Sequence, residues 1–183
     1  MVIDENQSRG FSEGLNLLFK THSNELKAVE VHKKKGDIIL KQGDPTSDLF
    51  LLQDGSVSVE VSYKEGISFS LAKIHSVNLL GEMSLFGENH VSANVIISSQ
   101  SAKLLKIKGT DLLSSIMFDS ELAVELLSIA CKRSQRSSEI IGLIMQSIYA
   151  IKSSNVNMFN DTFRNLLSIN SDIAFSLKEL HNY

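Results

Sequence analysis

The chain has 183 residues, 43% hydrophobic and 21% charged, with a formal net charge of −3. That is enough for one domain with a sizeable core and an appendage, and too apolar to stay disordered. No apolar run reaches bilayer length, Met1–Asn6 carries Asp4 and Glu5 rather than a leader-like stretch, and the mild acidity gives no footprint for nucleic acid.

From Gly10 to Ala28, Phe11, Leu15, Leu18, Phe19 and Leu26 recur at roughly helical spacing, which predicts one or two short helices. The period then changes to two. Strands are predicted at Val29–Val31, Asp37–Lys41, Leu49–Gln53, Gly55–Tyr63, Gly66–Ile74, Val91–Ser99 and Ala102–Lys108. In the fourth of these Val57, Val59 and Val61 share one face. Gly36-Asp37, Gly43-Asp44-Pro45, Asp54-Gly55 and Lys64-Glu65-Gly66 punctuate the strands, and Asp54-Gly55 reads as a hairpin signal. Seven or eight short strands at this spacing predict an antiparallel barrel or double-sheet roll.

After Lys108 the helical period returns. Thr110 or Asp111 is expected to cap a short helix ending near Phe118, and Asp119 or Ser120 a long one reaching about Ile151. Leu122, Leu126, Ile129, Ile140, Ile144, Ile148 and Ile151 form a stripe on the long helix, broken by the polar stretch Lys132–Glu139. A helix of that length exceeds what a small barrel covers, so its distal half is expected to pack on a second chain. Ser153-Ser154-Asn155 reads as a linker and Asp161–Leu180 as a last helix.

Little here suggests catalysis. Cys131 is the single cysteine, so no internal disulfide forms, and a reducing cytoplasm is the expected setting. The five histidines are scattered, and the zinc, serine-hydrolase and P-loop patterns are absent. No catalytic residue, metal site or cofactor is expected. The informative segment is Gly81–Val95, Gly-Glu-Met-Ser-Leu-Phe-Gly-Glu-Asn-His-Val-Ser-Ala-Asn-Val, between two strands. A turn at Glu82–Phe86 would present backbone amides to an anion. Small Ser92 and Ala93 let a phosphate approach the chain, and Glu82 can accept from a sugar hydroxyl. An ordinary strand connection fits the same letters.

Three blocks occur in order, Gly36-Asp-Ile-Ile-Leu-Lys-Gln-Gly-Asp44, Leu49-Phe-Leu-Leu-Gln-Asp-Gly-Ser-Val57 and Gly81-Glu-Met-Ser-Leu-Phe86. Together they resemble the cyclic nucleotide-binding domain family, to which the bacterial catabolite activator and the regulatory subunits of protein kinase A belong. The resemblance spans roughly residues 12 to 150. It implies an α+β, mainly β fold: an antiparallel, jelly-roll-like β-roll of about eight strands, flanked by N-terminal helices and a long C-terminal lid and dimerisation helix. The implied boundaries are 1–28 for the helical lead, 29–118 for the roll, 119–152 for the lid helix and 153–183 for a linker and final helix.

Carried over by residue, the resemblance gives Glu82 the ribose 2′-hydroxyl, Ser92 and Ala93 the cyclic phosphate, and Gly81 and Met83 the flank of the ribose. Val59, Leu71 and Ile74 match positions that line the base, and Ser137 and Ser138 match lid-helix hydroxyls that touch adenine. The arginine that pairs with the phosphate is replaced by Val91, and Ser76-Val77 stands where the family commonly has Gly-Asp. Only 32 residues follow Ile151, with equal numbers of basic and acidic side chains, too short and too neutral for the family's DNA-binding domain. The resemblance therefore implies a stand-alone regulatory unit sensing cAMP, cGMP or a related anionic ligand, with weakened affinity. It would homodimerise through the long helix and signal to a protein effector, with neither DNA nor membrane as partner. The alternative is a degenerate domain, no longer binding nucleotide, that serves as a dimerisation or interaction scaffold.

Overall fold

The structure, a computed structural model, describes residues 19, 26–63, 68–86 and 90–181. The helices expected before Ala28 lie largely outside these, although Phe19 and Leu26 are both fully buried. Eight strands are described: β1 (Val29–Lys34), β2 (Ile38–Leu40), β3 (Asp48–Asp54), β4 (Ser56–Ser62), β5 (Ser68–His75), β6 (Asn78–Leu80), β7 (Asn94–Ile97) and β8 (Ser101–Lys108). Five helices are described in full among these residues: α1 (Glu82–Phe86), α2 (Gly109–Phe118), α3 (Ser120–Lys152), α4 (Val156–Ile169) and α5 (Ser171–His181).

The strands form two four-stranded sheets, ordered β1-β8-β3-β6 and β2-β7-β4-β5. The pairings β1–β8, β3–β8, β3–β6, β2–β7 and β4–β7 are antiparallel. Consecutive strands alternate between the sheets except β4 and β5. Asp54-Gly55 is therefore not a hairpin. It is a corner where the chain leaves one sheet for the other, a distinction that local turn chemistry cannot make. Gly55 has φ +95° there, and serine hydroxyls hold the corner. Ser56 N–H donates to Ser99 Oγ at 2.9 Å, Ser56 and Ser98 hydroxyls meet at 2.8 Å, and Ser99 Oγ donates to Ser101 O at 2.7 Å.

The chain divides into two compact units. The first ends at Glu125 and leaves out Phe69–Leu71, which belong with Leu126–Tyr183 in the second. In the first, Leu40, Phe50, Leu52, Val57, Leu80, Val91, Val95, Ile97, Ala102 and Leu104, drawn from both sheets, make one buried apolar cluster. Leu49, Leu51, Leu79 and Ile107 are buried as well, so β3 is apolar on both faces, and its run Leu49–Leu52 reads as continuous rather than alternating.

Sequence and structure part at several ends. The predicted strand Val91–Ser99 contracts to β7, because Val91 pairs elsewhere: its N–H donates to Asp44 O at 3.0 Å and its carbonyl accepts from Gly43 N–H at 2.8 Å. β6 has three residues, too few for a visible alternation. Neither Thr110 nor Asp111 caps α2; its N-cap is Lys108, with no side-chain bond, and Gly109 N–H is fixed instead by Ser47 O at 2.6 Å. Asp119 does cap α3, accepting from Glu121 and Leu122 N–H at 2.9 and 3.1 Å.

The second unit is helical. Ala150, Phe159, Leu166, Ala174 and Leu177 form its core, with Leu143, Ile144, Ile151, Met158, Phe163 and Ile173 packed around them. Thus α4 and α5 of the same chain cover Ile144 and Ile151, the side of the long helix expected to meet a second chain. Ser147 Oγ donates to Thr162 Oγ1 at 3.0 Å inside this core. The expected single helix Asp161–Leu180 is two, split at Asn170. Asn170 Oδ1 accepts from Ile173 N–H at 3.1 Å, capping α5, while Nδ2 donates to Ser70 O at 3.1 Å and Leu71 O at 2.6 Å. The Asn170→Ala variant removes three bonds made by a buried amide, and we expect it to cost about 2–3 kcal/mol in urea unfolding. A loss below about 0.5 kcal/mol would show that the amide does not fasten the α4–α5 junction to Ser70 and Leu71.

Candidate functional site

Two stretches of the first unit meet to form the site, Gly81–Ser84 and His90–Ala93. Gly81 has φ +92°, and a Cβ there would lie 3.0 Å from Asp48 O and 3.3 Å from Leu40 Cδ1. Only glycine both turns the chain out of β6 in this conformation and lets it lie against β3. The turn continues with Ser84 N–H donating to Gly81 O at 3.1 Å. Buried Ser84 sends its hydroxyl to His90 O at 3.3 Å, bridging the two stretches. Ser84 is the site residue that sequence reasoning missed, since a serine inside a helical turn carries no mark of its partner.

The side chains sort by exposure. Glu82 is buried at 5% exposure, Ala93 likewise, whereas Met83 is 64% exposed and Ser92 is exposed. His90 is exposed and Val91 buried, as alternation along an extended segment requires. Val91 sits in the apolar cluster with Leu40, Val95 and Leu104, and Val59 and Ile74 pack against that cluster, half-buried. Val59 is registered opposite Val95 across β4–β7. The first unit therefore gathers Gly81, Glu82, Met83, Val91, Ser92, Ala93, Val59 and Ile74. Leu71, Ser137 and Ser138 fall in the second unit and are exposed there.

A polar ring anchors the strand that follows. Gln42 N–H donates to Asn94 Oδ1 at 2.9 Å, Asn94 Nδ2 to Ser62 Oγ at 2.9 Å, and Ser62 N–H to Gln42 Oε1 at 2.7 Å. Three residues far apart in sequence thus fix where β7 begins, and with it Ser92 and Ala93 just before.

Chemically, the site offers a buried carboxylate, a hydroxyl, a small residue beside the backbone, and an apolar wall. A cation is what it lacks at position 91. Helix α1 has five residues, and one first-turn amide, that of Ser84, is already taken by Gly81 O. Its aligned peptides add little positive potential to offset an anion. Among the described residues no group of three or more His, Cys, Asp or Glu could hold a metal. Among the same residues, no helix is long and apolar enough to cross a membrane.

Comparison with known proteins matches residues 30–117 to the model of the cyclic nucleotide-binding domain. Cyclic GMP-binding protein C of Dictyostelium discoideum is 30% identical over 67 residues, which is 37% of this chain and 2% of that protein. The chain thus matches only a small part of that relative's length. A transcriptional regulator of Thermotoga maritima superposes with TM-score 0.56 at 25% identity, over 64% of this chain and 92% of its own. The catabolite activator protein of Thermus thermophilus shares the fold with TM-score 0.57 at 18% identity, over 85% of this chain and 94% of its own.

Proposed function

Residues 30–117 belong to the cyclic nucleotide-binding domain family, and from that premise we propose that the chain is a sensing module, regulatory rather than catalytic. It takes cAMP, cGMP or a related anionic ligand beside Gly81–Glu82 and Ser92–Ala93. It signals to a protein effector by rearranging its helices, as a homodimer joined along α3. The observation that supports this reading is the buried Glu82 in the turn that Gly81 opens, a turn that the Ser84–His90 bond ties to the stretch carrying Ser92 and Ala93. That is a place for a ribose hydroxyl and a phosphate on one ligand. Similarity to a cyclic GMP-binding protein supports a nucleotide as that ligand.

Affinity is low in this reading. A charge-assisted contact of the kind an arginine makes is worth about 1.5–3 kcal/mol, so Val91 forgoes about 10- to 150-fold. One observation favours the scaffold reading instead: Val91 is packed among apolar side chains at 5% exposure, and an anion set against that wall without a counter-charge pays desolvation unrelieved.

Titration of thermal stability separates the two. The sensing module gains stability with cAMP or cGMP, by about 2.7 kcal/mol once ligand reaches a hundredfold over its Kd. Glu82→Ala, compared with its own ligand-free baseline, loses the response. No shift at millimolar nucleotide overturns the sensing role and leaves the scaffold.

A further inference from the structure

Strand β5 serves both compact units. Its Ile74 packs, half-buried, against the apolar cluster that holds Val91 and Val95. A few residues earlier, Phe69–Leu71 belong with the helices of the second unit. The attachment there is made by one side chain. Asn170, at the α4–α5 junction, donates from Nδ2 to Ser70 O at 3.1 Å and to Leu71 O at 2.6 Å. The other end of the same amide, Oδ1, accepts from Ile173 N–H at 3.1 Å and caps α5. Asn170 is 8% exposed, so water does not readily replace a bond that it loses.

A single amide thus joins a strand to the start of a helix, and its bonds to β5 go to main-chain oxygens. A displacement of the β5 backbone acts on them directly, because a hydrogen bond weakens steeply away from its preferred length and angle. The source of such a displacement lies toward the other end of the strand. Val91 is 5% exposed within a packed cluster, and an anion lodged beside Ser92 and Ala93 needs that wall to give way. Packed interiors switch between arrangements rather than deform gradually, and Ile74 is part of the packing. The helices have support of their own. Ala150, Phe159, Leu166 and Leu177 share a core, and Arg136 Nη2 donates to Ile169 O at 3.3 Å, so freeing β5 leaves α4 and α5 folded.

We propose that Asn170 is a latch between the ligand site and the C-terminal helices. It holds the α4–α5 junction to β5 while the Val91 wall is closed, and a cyclic nucleotide that moves the wall releases it. The proposal rests on the sensing role of the preceding subsection and names the contact through which that site governs α4 and α5. Linkage makes the effect mutual: a ligand that loosens the latch binds more tightly, by the same factor, once the latch is open.

Asn170→Ser isolates the latch, because serine is itself a good N-cap but is too short to bond β5 as well. Asn170→Asp keeps the cap and nearly the same shape, and turns an acceptor toward the two carbonyls in place of the donor. Both are read in the full chain by calorimetric titration with cAMP and cGMP and by hydrogen exchange over residues 166–177. Far-UV circular dichroism checks that the helices remain. Saturating nucleotide is expected to speed exchange at the junction in wild type, and either variant to show that faster exchange without nucleotide. Each variant is expected to bind nucleotide about 10-fold more tightly than wild type, the equivalent of the two bonds to β5. Equal affinity in wild type and variants, or weaker affinity in the variants, overturns the latch and keeps the sensing role. Junction exchange that bound nucleotide leaves unchanged in wild type overturns the latch whatever the variants do. No binding to any of the three proteins at millimolar nucleotide overturns the sensing role and the latch together.

Discussion

Val91→Arg is expected to lower the stability of the ligand-free protein by about 3 kcal/mol or more and, at the same time, to raise cyclic nucleotide affinity by about 10- to 150-fold. The cost arises because position 91 is 5% exposed and lies within the apolar cluster that also holds Leu40, Val95 and Leu104. A guanidinium there leaves water without a partner and overfills a packed cluster. The gain arises because a bound phosphate would be that partner. The two effects have opposite signs in one thermal-shift experiment, with a lower melting point without ligand and a steeper rise with it. Val91→Met supplies volume without charge and is expected to show the loss alone. An arginine variant that loses stability and gains no affinity for either cAMP or cGMP would show that the apolar cluster is not a nucleotide pocket.

Gly55→Ala is expected to be more damaging than its single added methyl suggests, about 3–5 kcal/mol in urea unfolding. Two penalties coincide at this corner. The backbone has φ +95°, where side chains are strained. The new Cβ would also stand 2.6 Å from Ser99 Oγ, 2.7 Å from Ser101 O and 3.0 Å from Ala102 Cβ. The serine hydroxyl can rotate away, but the Ser101 carbonyl belongs to β8 and cannot. Relief would have to come from moving the start of β8, which pairs with β1 and β3. A midpoint shift equivalent to less than about 1 kcal/mol, at unchanged m-value, would show that the corner yields.

What the letters revealed depended on the range of the interaction. The strands that alternate, such as β4 with Val57, Val59 and Val61, were visible because a face is written every second residue. Gly81, Glu82, Ser92 and Ala93 are singled out by the resemblance in motif and spacing, and Val91 by its departure from that pattern. The corner at Gly55 was legible as a turn but not as a change of sheet, since which strand a residue pairs with lies outside its neighbourhood. The break at Asn170 was missed for the same reason. Its amide is committed to the carbonyls of Ser70 and Leu71, about a hundred residues earlier in the chain. The stripe on α3 was read correctly as apolar, yet an amphipathic period does not say which neighbour covers it.

The alternation of successive strands between sheets has a consequence for how the chain reaches its native state. β1 has a single neighbour, β8, and Val29 lies opposite Lys106. During synthesis the first strand must wait until the eighth has left the ribosome, and only β4 and β5 can pair with a sequential neighbour. Local hairpins therefore contribute little early order, and closure depends on distant segments meeting, which makes assembly slow and all-or-none. A nascent chain halted before Ser101 would present β1 and β3 without their shared partner β8, leaving open edges that invite association with other chains.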